Sequence, residues 1–413
     1  MVDLSTDVRY TNHQTKNSLA VFCNTRMLKM IRPTRRIHRR PLQMKEIIPF
    51  HTAVNDPAAL AQSIKEKSGR IIGYMCSYAP EELIHAAGFH PMRLFSSKAD
   101  IVLAEIHLQA YCCSLVRGVV EDSLAGRLDY LDGTVFPHTC DSIQRLSDIW
   151  RLNTDYSFFA DVVLPAKLNT QSARAYMTDV LKKFKTDLEA AIGHEITPAD
   201  LSASIGLFNR IRQSLTRIYE LKSNSPSIIS GTDLFAIVKG AMIMDRQALA
   251  DQLETIVQLL ETKSPTPSLA KRIILSGSIC DMPDIYTLIE ASGGTVVADD
   301  LCTGNRWFDG QMDETIDPLE ALTARYADRA VCPAKHSGNS TRGDNLLARA
   351  NTHKADGVIF AVLKFCDPHA FDYPYMKEIL DKAAIKSLHL ELDDQQQGLG
   401  QLSTRLETFI HMI

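Results

Sequence analysis

The residues of this chain best suited to chemistry are thiols placed where apolar runs end. In YCCSLVRGVVEDSLAGRLDYLDGTVFPHTCD, residues 111 to 141, a cysteine pair opens a segment with apolar side chains at helical spacing. A β-branched and aromatic run from Asp129 to Phe136 follows and closes at Pro137, just before Cys140. GVIFAVLKFCDPHAFDYP repeats the second half of that pattern, an apolar strand from Gly357 to Lys364, then Cys366, then Asp-Pro. RIIGYMC, residues 70 to 76, ends on Cys76 in the same way. A single cysteine is most often a small buried hydrophobe, so the pattern is the signal: thiols at strand tips beside Pro, His or Asp. Zinc favours closely paired ligands such as Cys-x-x-Cys, and the chain has none. Iron-sulfur clusters accept thiolates far apart in sequence when the fold brings them together. Three thiolates on a four-iron cluster leave one iron open, as a catalytic zinc keeps a free position for substrate.

Other polar groups sit near these thiols in sequence. His138, two residues before Cys140, can hydrogen-bond a sulfur or pass a proton, or simply anchor a strand end. Glu81 and Glu82 follow Cys76 at a helix start, where carboxylates suit the helix dipole and can also act as an acid or base. Ser276, Gly277 and Ser278 form a strand-to-helix turn whose backbone N–H groups can cradle a phosphate, although tight packing explains such a turn equally well. Trp150 and Arg151 can stack on an adenine or pack in the core.

The elements that must position these groups read as an α/β protein: two Rossmann-like parallel-sheet domains with a helical insert between them. Residues 46–170 form a first α/β domain holding Cys76, Cys113 and Cys140, with strands expected at 70–76, 92–96, up to Phe136, and 158–165. Residues 171–264 run helix after helix; one of them, GTDLFAIVKGAMIMDRQALADQLETIVQLLET, is long and amphipathic. Residues 265–413 form a second α/β domain with strands at 272–277, 295–300, 357–364 and 387–393, Cys366, and a closing amphipathic helix. In open parallel sheets reactive groups sit in the crevice outside the carboxyl ends of the strands, so thiols from both domains can meet there. Residues 1–45 differ: nine Lys or Arg against two acids up to residue 43, with little amphipathic period, read as a disordered basic extension.

With 45% hydrophobic and 23% charged residues, the 413-residue chain has the makeup of a globular protein rather than a disordered or fibrous one. A net charge of -4 gives no electrostatic footprint for nucleic acid. No apolar run reaches the roughly 18 residues of a membrane span. The N-terminus lacks the pattern of a secretory signal, so the expected compartment is the reducing cytoplasm, where nine cysteines are thiols or ligands rather than disulfides.

At these residues the sequence resembles the 2-hydroxyacyl-CoA dehydratase and benzoyl-CoA reductase family. The matching segments are GYMCSYAPEELIHAAGFHPMRL, YCCSLVR, LDYLDGTVFPHTCDSIQRLSDIW, LSGSICD and VLKFCDPHAFDYPYMKEIL, with GQLSTRLETFI near the end, from about Ile47 to the C-terminus. The resemblance implies a subunit holding a 4Fe-4S cluster through Cys113, Cys140 and Cys366, with Cys112 an alternative to Cys113 in the doubled thiol. It further implies a related second subunit, an acyl-CoA substrate, and a separate iron-sulfur activator that hydrolyses ATP to deliver a low-potential electron. The first expectation is an aryl-CoA reductase of the benzoyl-CoA type, in which an electron enters the thioester-activated ring; His138 is the proton carrier or tuner to test first, with Glu82 beside it. The alternatives are a 2-hydroxyacyl-CoA dehydratase, where a ketyl radical expels the hydroxyl, and a subunit that only relays electrons. A third branch carries a double-cubane cluster and needs more cysteines. Cys76 and Cys302 sit in matching positions for it, but the LSGS turn offers Ser278, with Cys280 displaced by two.

Overall fold

The computed structural model describes residues 44–97, 100–278, 284–329, 332–335, 338, 340–393 and 399–413. Cys23, Cys280 and nearly all of the basic extension expected over residues 1–45 lie outside them. The first half runs α1 (Ile48–Asn55), α2 (Pro57–Glu66), β1 (Arg70–Tyr74), α3 (Glu81–Ala86), β2 (Phe89–Arg93), α4 (Ser114–Leu124), β3 (Gly133–Pro137), α5 (Asp141–Asn153) and β4 (Phe158–Val162). Four helices follow: α6 (Gln171–Ile192), α7 (Pro198–Asn224), α8 (Gly231–Ala241) and α9 (Arg246–Thr262). The second half runs β5 (Lys271–Gly277), α10 (Ile285–Ala291), β6 (Gly294–Asp300), α11 (Asn305–Phe308), α12 (Pro318–Asp328), α13 (Thr341–Thr352), β7 (Gly357–Leu363), α14 (Asp367–Lys382), β8 (Ser387–Leu392) and α15 (Leu399–Met412).

The eight strands form two four-stranded sheets, β2-β1-β3-β4 and β6-β5-β7-β8, and every pairing is parallel. The expected α/β architecture is therefore present, with the same strand order in both halves. Helices cover both faces of the second sheet, and its strands alternate accordingly. Ile359, Ala361 and Leu363 of β7 face the large core shared with the helical region, while Val358, Phe360 and Val362 face a smaller core with Leu346 of α13 and Met376 and Leu380 of α14. Among the described residues no helix is long and apolar enough to cross a membrane.

Two sequence expectations shift. The second strand lies at Phe89–Arg93 rather than 92–96, because β2 is an edge strand, where the N–H that Pro91 lacks is not needed. The long helix expected over residues 231–262 is two. It breaks at Met242–Asp245, where Asp245 caps α9 by accepting from Ala248 N at 3.0 Å. The buried Arg246 guanidinium holds that break, donating to Ala241 O at 3.0 Å, Met244 O at 2.6 Å and Met242 O at 3.2 Å. Elsewhere the helix ends follow local chemistry: Thr197 and Asp200 form a capping box before α7, and α6 stops at Gly193, φ +78°.

Candidate functional site

In each sheet the strand order turns outward from the middle pair, β1/β3 and β5/β7, so those pairs are the switch points where a crevice opens at the carboxyl ends. Cys76 follows β1, Cys140 follows β3, Ser278 follows β5 and Cys366 follows β7. Cys113, Cys140 and Cys366 share a further property: each is the residue that precedes the first turn of a helix, α4, α5 and α14 respectively. Helix N-termini carry partial positive charge and favour a thiolate or a larger anion. At Cys366 the chain reaches this position through Phe365, which holds the left-handed φ of +62° rarely taken by a bulky residue.

The thiols gather. Burial pushes the Cys140 thiol well above its ordinary range, and the neighbouring Cys113, Cys76 and Cys332 push it the same way. Burial also raises Cys366, with Cys113, Cys140 and Cys302 adding to it, while the amide of His369 opposes. Cys332 is pushed up to about 12, by burial first and then by Cys302, with Arg306 opposing. Six cysteines are thus joined by a set of pairwise couplings: Cys140 with Cys113, Cys76 and Cys332, Cys366 with Cys113, Cys140 and Cys302, and Cys332 with Cys302 and Cys76. Cys112 also approaches: burial raises it, with Ser142 at the start of α5 lowering and Asp367 at the start of α14 raising it.

Buried cations stand among the thiols. Arg306 donates from Nη1 to Asp300 O at 2.8 Å and Oδ1 at 2.9 Å, and from Nη2 to Gly277 O, to Cys302 Sγ at 3.2 Å and to His369 Nε2 at 3.2 Å. Because a guanidinium only donates, His369 Nε2 must accept, which places the imidazole proton on Nδ1, 3.2 Å from Cys366 Sγ. Burial, together with Arg306 and Arg342, holds His369 neutral, well below the usual histidine range. A hydrogen-bonded chain Cys366–His369–Arg306–Cys302 therefore crosses the crevice. On the other side Arg329 stacks 3.9 Å from the Tyr78 ring centre. Burial works against the Arg329 charge, while Tyr78, Tyr326 and Cys76 sustain it. Burial lowers Lys335, opposed by Cys76 and Cys332, and its Nζ donates to Leu164 O at 2.9 Å. Thr139 Oγ1 donates to Cys76 Sγ at 3.3 Å.

The remaining sequence candidates are held by the protein itself. His138 Nε2 lies 2.8 Å from Asp161 Oδ1 of β4 and 3.3 Å from Ser147 Oγ of α5, so that ring nitrogen serves the β4–α5 seam. Glu82 is fully buried, ion-paired with Arg212 of α7, and its Oε2 lies 3.4 Å from Tyr326 Oη. Burial raises its pKa, but Arg212 and Arg325 together bring it below the usual range. Glu81 accepts from Arg246 Nη2 at 2.9 Å and Trp307 Nε1 at 2.6 Å. Ser276 Oγ donates to Asp300 Oδ2 at 3.1 Å; Ser278 donates its N–H to Ala361 O at 3.2 Å, and its Oγ accepts from Leu363 N at 3.1 Å. The turn is thereby tied to β7, and a Cβ on Gly277, φ +151°, would stand 1.8 Å from Ala361 O. Trp150 is buried edge-on to Phe136, ring centres 5.5 Å apart, and Arg151 pairs with Asp161.

Cys332, Arg306 and His369 were not singled out by sequence reasoning. His369 carried a usable signal, since it stands three residues after a helix-capping cysteine and so returns to the same face. Among the described residues, no three His, Cys, Asp or Glu side chains converge closely enough to hold a single metal ion.

A sequence profile described as "2-hydroxyglutaryl-CoA dehydratase, D-component" matches residues 76–413. The chain is 28% identical over 361 residues to the (R)-phenyllactyl-CoA dehydratase beta subunit of Clostridium sporogenes, covering 87% of this chain and 96% of that one. It is 28% identical over 358 residues to a benzoyl-CoA reductase subunit of Thauera aromatica, covering 84% and 92%. It is 25% identical over 369 residues to the (R)-2-hydroxyglutaryl-CoA dehydratase beta subunit of Acidaminococcus fermentans, covering 87% and 97%. With the profile covering every described cysteine and all strands except β1, the chain belongs to the 2-hydroxyglutaryl-CoA dehydratase D-component family, whose matched relatives are subunits of 2-hydroxyacyl-CoA dehydratases and of benzoyl-CoA reductase.

Proposed function

We propose that this chain is the iron-sulfur subunit of an enzyme that reduces an aryl-CoA thioester of the benzoyl-CoA type by single electrons. A 4Fe-4S cluster would be held by Cys113, Cys140 and Cys366. The observation that carries the reading is that these three thiols, from distant parts of the chain, each begin a helix at the crevice outside the carboxyl ends of the strands. The donor set fits the group: buried thiols whose charges act on one another suit ligation, as thiolates, of a cationic centre. When bound there, the cluster would supply a low-potential electron to the thioester. The chain's own contribution is to bury the thiols, offset their charge with three helix N-termini, and hold the His369 Nδ1–H on the Cys366 sulfur. By the same reading it works with a related second subunit and an ATP-hydrolysing activator, as the relatives are themselves named as subunits. The test is anaerobic iron and sulfide analysis with an electron-spin spectrum. About four irons per chain, absent from Cys140→Ser, support the assignment; folded protein that contains zinc and no iron overturns it. Supplied with activator, ATP and thioester, a reductase consumes electrons stoichiometrically.

Two observations keep further readings in view. The phenyllactyl-CoA dehydratase beta subunit is as similar as the reductase subunit, at 28% identity with 96% of its length covered. Catalytic electron use with loss of water would assign the chain to that reaction. Secondly, Cys76, Cys302 and Cys332 form a second set of thiols with Arg306, Arg329 and Lys335 around them, from which a double-cubane centre would draw its further ligands although Ser278 stands at the ligand position in the LSGS turn. That reading requires about eight irons per chain and their partial loss in Cys332→Ser; about four irons, unchanged in Cys332→Ser, excludes it.

A further inference from the structure

Two stretches beside the thiols expose apolar side chains. Residues 102–111 are laid along α4: Glu121 accepts from Val102 N and Ala104 N, each at 2.9 Å, and Arg117 pairs with Glu105 at 3.2 Å. Ala104 and Leu108 of this stretch are buried, whereas Val102, Ile106 and Tyr111 are exposed, Ile106 by 79%. The second stretch is the first half of α14 with the residue that leads into it. Met376 and Leu380 face the core, while Phe371 and Tyr375, four residues apart and so on one face of the helix, are exposed, Phe371 by 77%. Phe365 is exposed as well, at the left-handed φ that precedes Cys366. The stretches meet at the crevice, since Tyr111 directly precedes Cys112, and Asp367 at the start of α14 acts on that thiol.

Exposed apolar residues scattered singly are ordinary, but a set gathered around one crevice is not. Six such side chains, each of about 150–250 Å² when bare and here between 42% and 79% exposed, present roughly 750 Å². That is close to the roughly 800 Å² each partner contributes to a standard stable interface, and above the roughly 300–600 Å² of the largest patch on a typical monomer. Neither stretch contains Lys or Arg. Two of their three acids are already ion-paired, Glu105 with Arg117 and Asp372 with Arg342, and the third, Asp367, suits a helix start. A rim of aromatic and aliphatic side chains without cations fits a lasting interface; transient or charge-steered encounters use smaller or more polar surfaces. It also suits self-pairing. A two-fold axis beside the crevice sets α14 of one copy against residues 102–111 of the other, and the reverse, so a single patch supplies both sides. In the single chain Cys140 and Cys366 stay partly exposed, so the mouth of the crevice is completed only by what covers the rim.

We propose that two copies of this chain pair through this rim, each covering the mouth of the other's thiol crevice. The pairing goes beyond the redox reading; the related second subunit of that reading would meet the chain on another face. The experiment is sedimentation equilibrium of the anaerobically purified full chain over a range of micromolar concentrations, for wild type, Ile106→Arg, Phe371→Arg and Leu269→Arg. Ile106 and Phe371 lie on opposite sides of the crevice, and Leu269, fully exposed between α9 and β5, is the control for an added charge elsewhere. Wild type should have twice the mass of one chain. Each rim variant should weaken the pairing at least about 30-fold, because the substitution enters the interface twice, and Leu269→Arg should leave it unchanged. Should a rim variant fail to fold, photo-reactive benzoylphenylalanine in place of Tyr375 decides: on illumination it should give a product of doubled mass joined within residues 102–111 of the other copy. The proposal is overturned if wild type keeps the mass of one chain throughout, if the folded rim variants pair as wild type does, if Leu269→Arg disrupts pairing equally, or if the photoproduct is absent or joined elsewhere. Mass does not report iron, so failure here is distinguishable from failure of the redox assignment.

Discussion

The hydrogen bond from His369 Nδ1 to Cys366 Sγ, 3.2 Å, should set part of the potential of a cluster held at Cys366. A donor on a ligand sulfur stabilises the more negative, reduced state, so removing it lowers the reduction potential. Hydrogen bonds to charged groups contribute about 1.5–3 kcal/mol, and if roughly half of that grows with the added electron, the shift is about 30–65 mV for a one-electron couple. The perturbation is His369→Phe, which keeps a planar ring and removes the donor. Arg306 loses one acceptor but retains Asp300 O, Asp300 Oδ1 and Gly277 O, so the surrounding network should hold. His369→Asn is the control, since its side-chain amide nitrogen falls near the position of Nδ1 and can still donate to sulfur. The assay is an anaerobic redox titration followed by the electron-spin signal, normalised to iron. A shift under about 15 mV in His369→Phe at unchanged iron content refutes the reasoning, as does an equal shift in both variants.

Two stability predictions follow from the same geometry. Gly277→Ala places a methyl 1.8 Å from Ala361 O at a backbone φ of +151°, so urea unfolding should show a loss of more than about 2 kcal/mol; a change within about 0.5 kcal/mol would mean that β5 and β7 separate readily at the switch point. Burial pushes His90 down to about 3 from the ordinary 6.5, and its Nε2 lies 2.8 Å from Ile243 O, so the folded protein holds this ring neutral where the unfolded chain takes up a proton. The stability this provides is present above pH 6.5 and falls as the pH drops toward 3, by about 2–3 kcal/mol on reaching about pH 4.5. His90→Gln should flatten that limb of the urea-measured stability, and an identical acid slope in the variant would sink the assignment.

The sheet strands were legible because the period-2 and continuous apolar runs at Gly357–Leu363 and Lys271–Gly277 have a single physical reading: strands covered on both faces. Cys140 and Cys366 were legible for the same reason, since a thiol just past such a run falls at a sheet edge. What local pattern concealed was set by tertiary partners. The break after α8 depends on Arg246 finding three backbone carbonyls, and no periodicity announces that. Glu82 reads like an accessible acid at a helix start, and only the approach of Arg212 from α7 makes it a buried ion pair. Cys332 follows no strand, so nothing in its neighbourhood marked it; its relation to Cys302 and Cys76 exists only in the folded chain.

The six thiols divide by what would offset their charge as thiolates, and in the proposed function the division has a consequence for electron transfer. Cys113, Cys140 and Cys366 face the positive ends of α4, α5 and α14, whose dipoles are fixed by the backbone. Cys76, Cys302 and Cys332 are offset by Arg306, Arg329 and Lys335, side chains buried beside them. Both devices are set before any charge arrives, and neither requires water to enter a crevice which, in the proposed function, must keep a low-potential electron from reaching protons. The two sets are joined by one hydrogen-bonded path, from Cys366 through His369 to Arg306 and Cys302. A change of charge on the Cys366 side is therefore felt by the cation that balances Cys302. In the proposed function, coupling of this kind would let the second set tune a cluster held by the first, whether or not the second carries metal of its own.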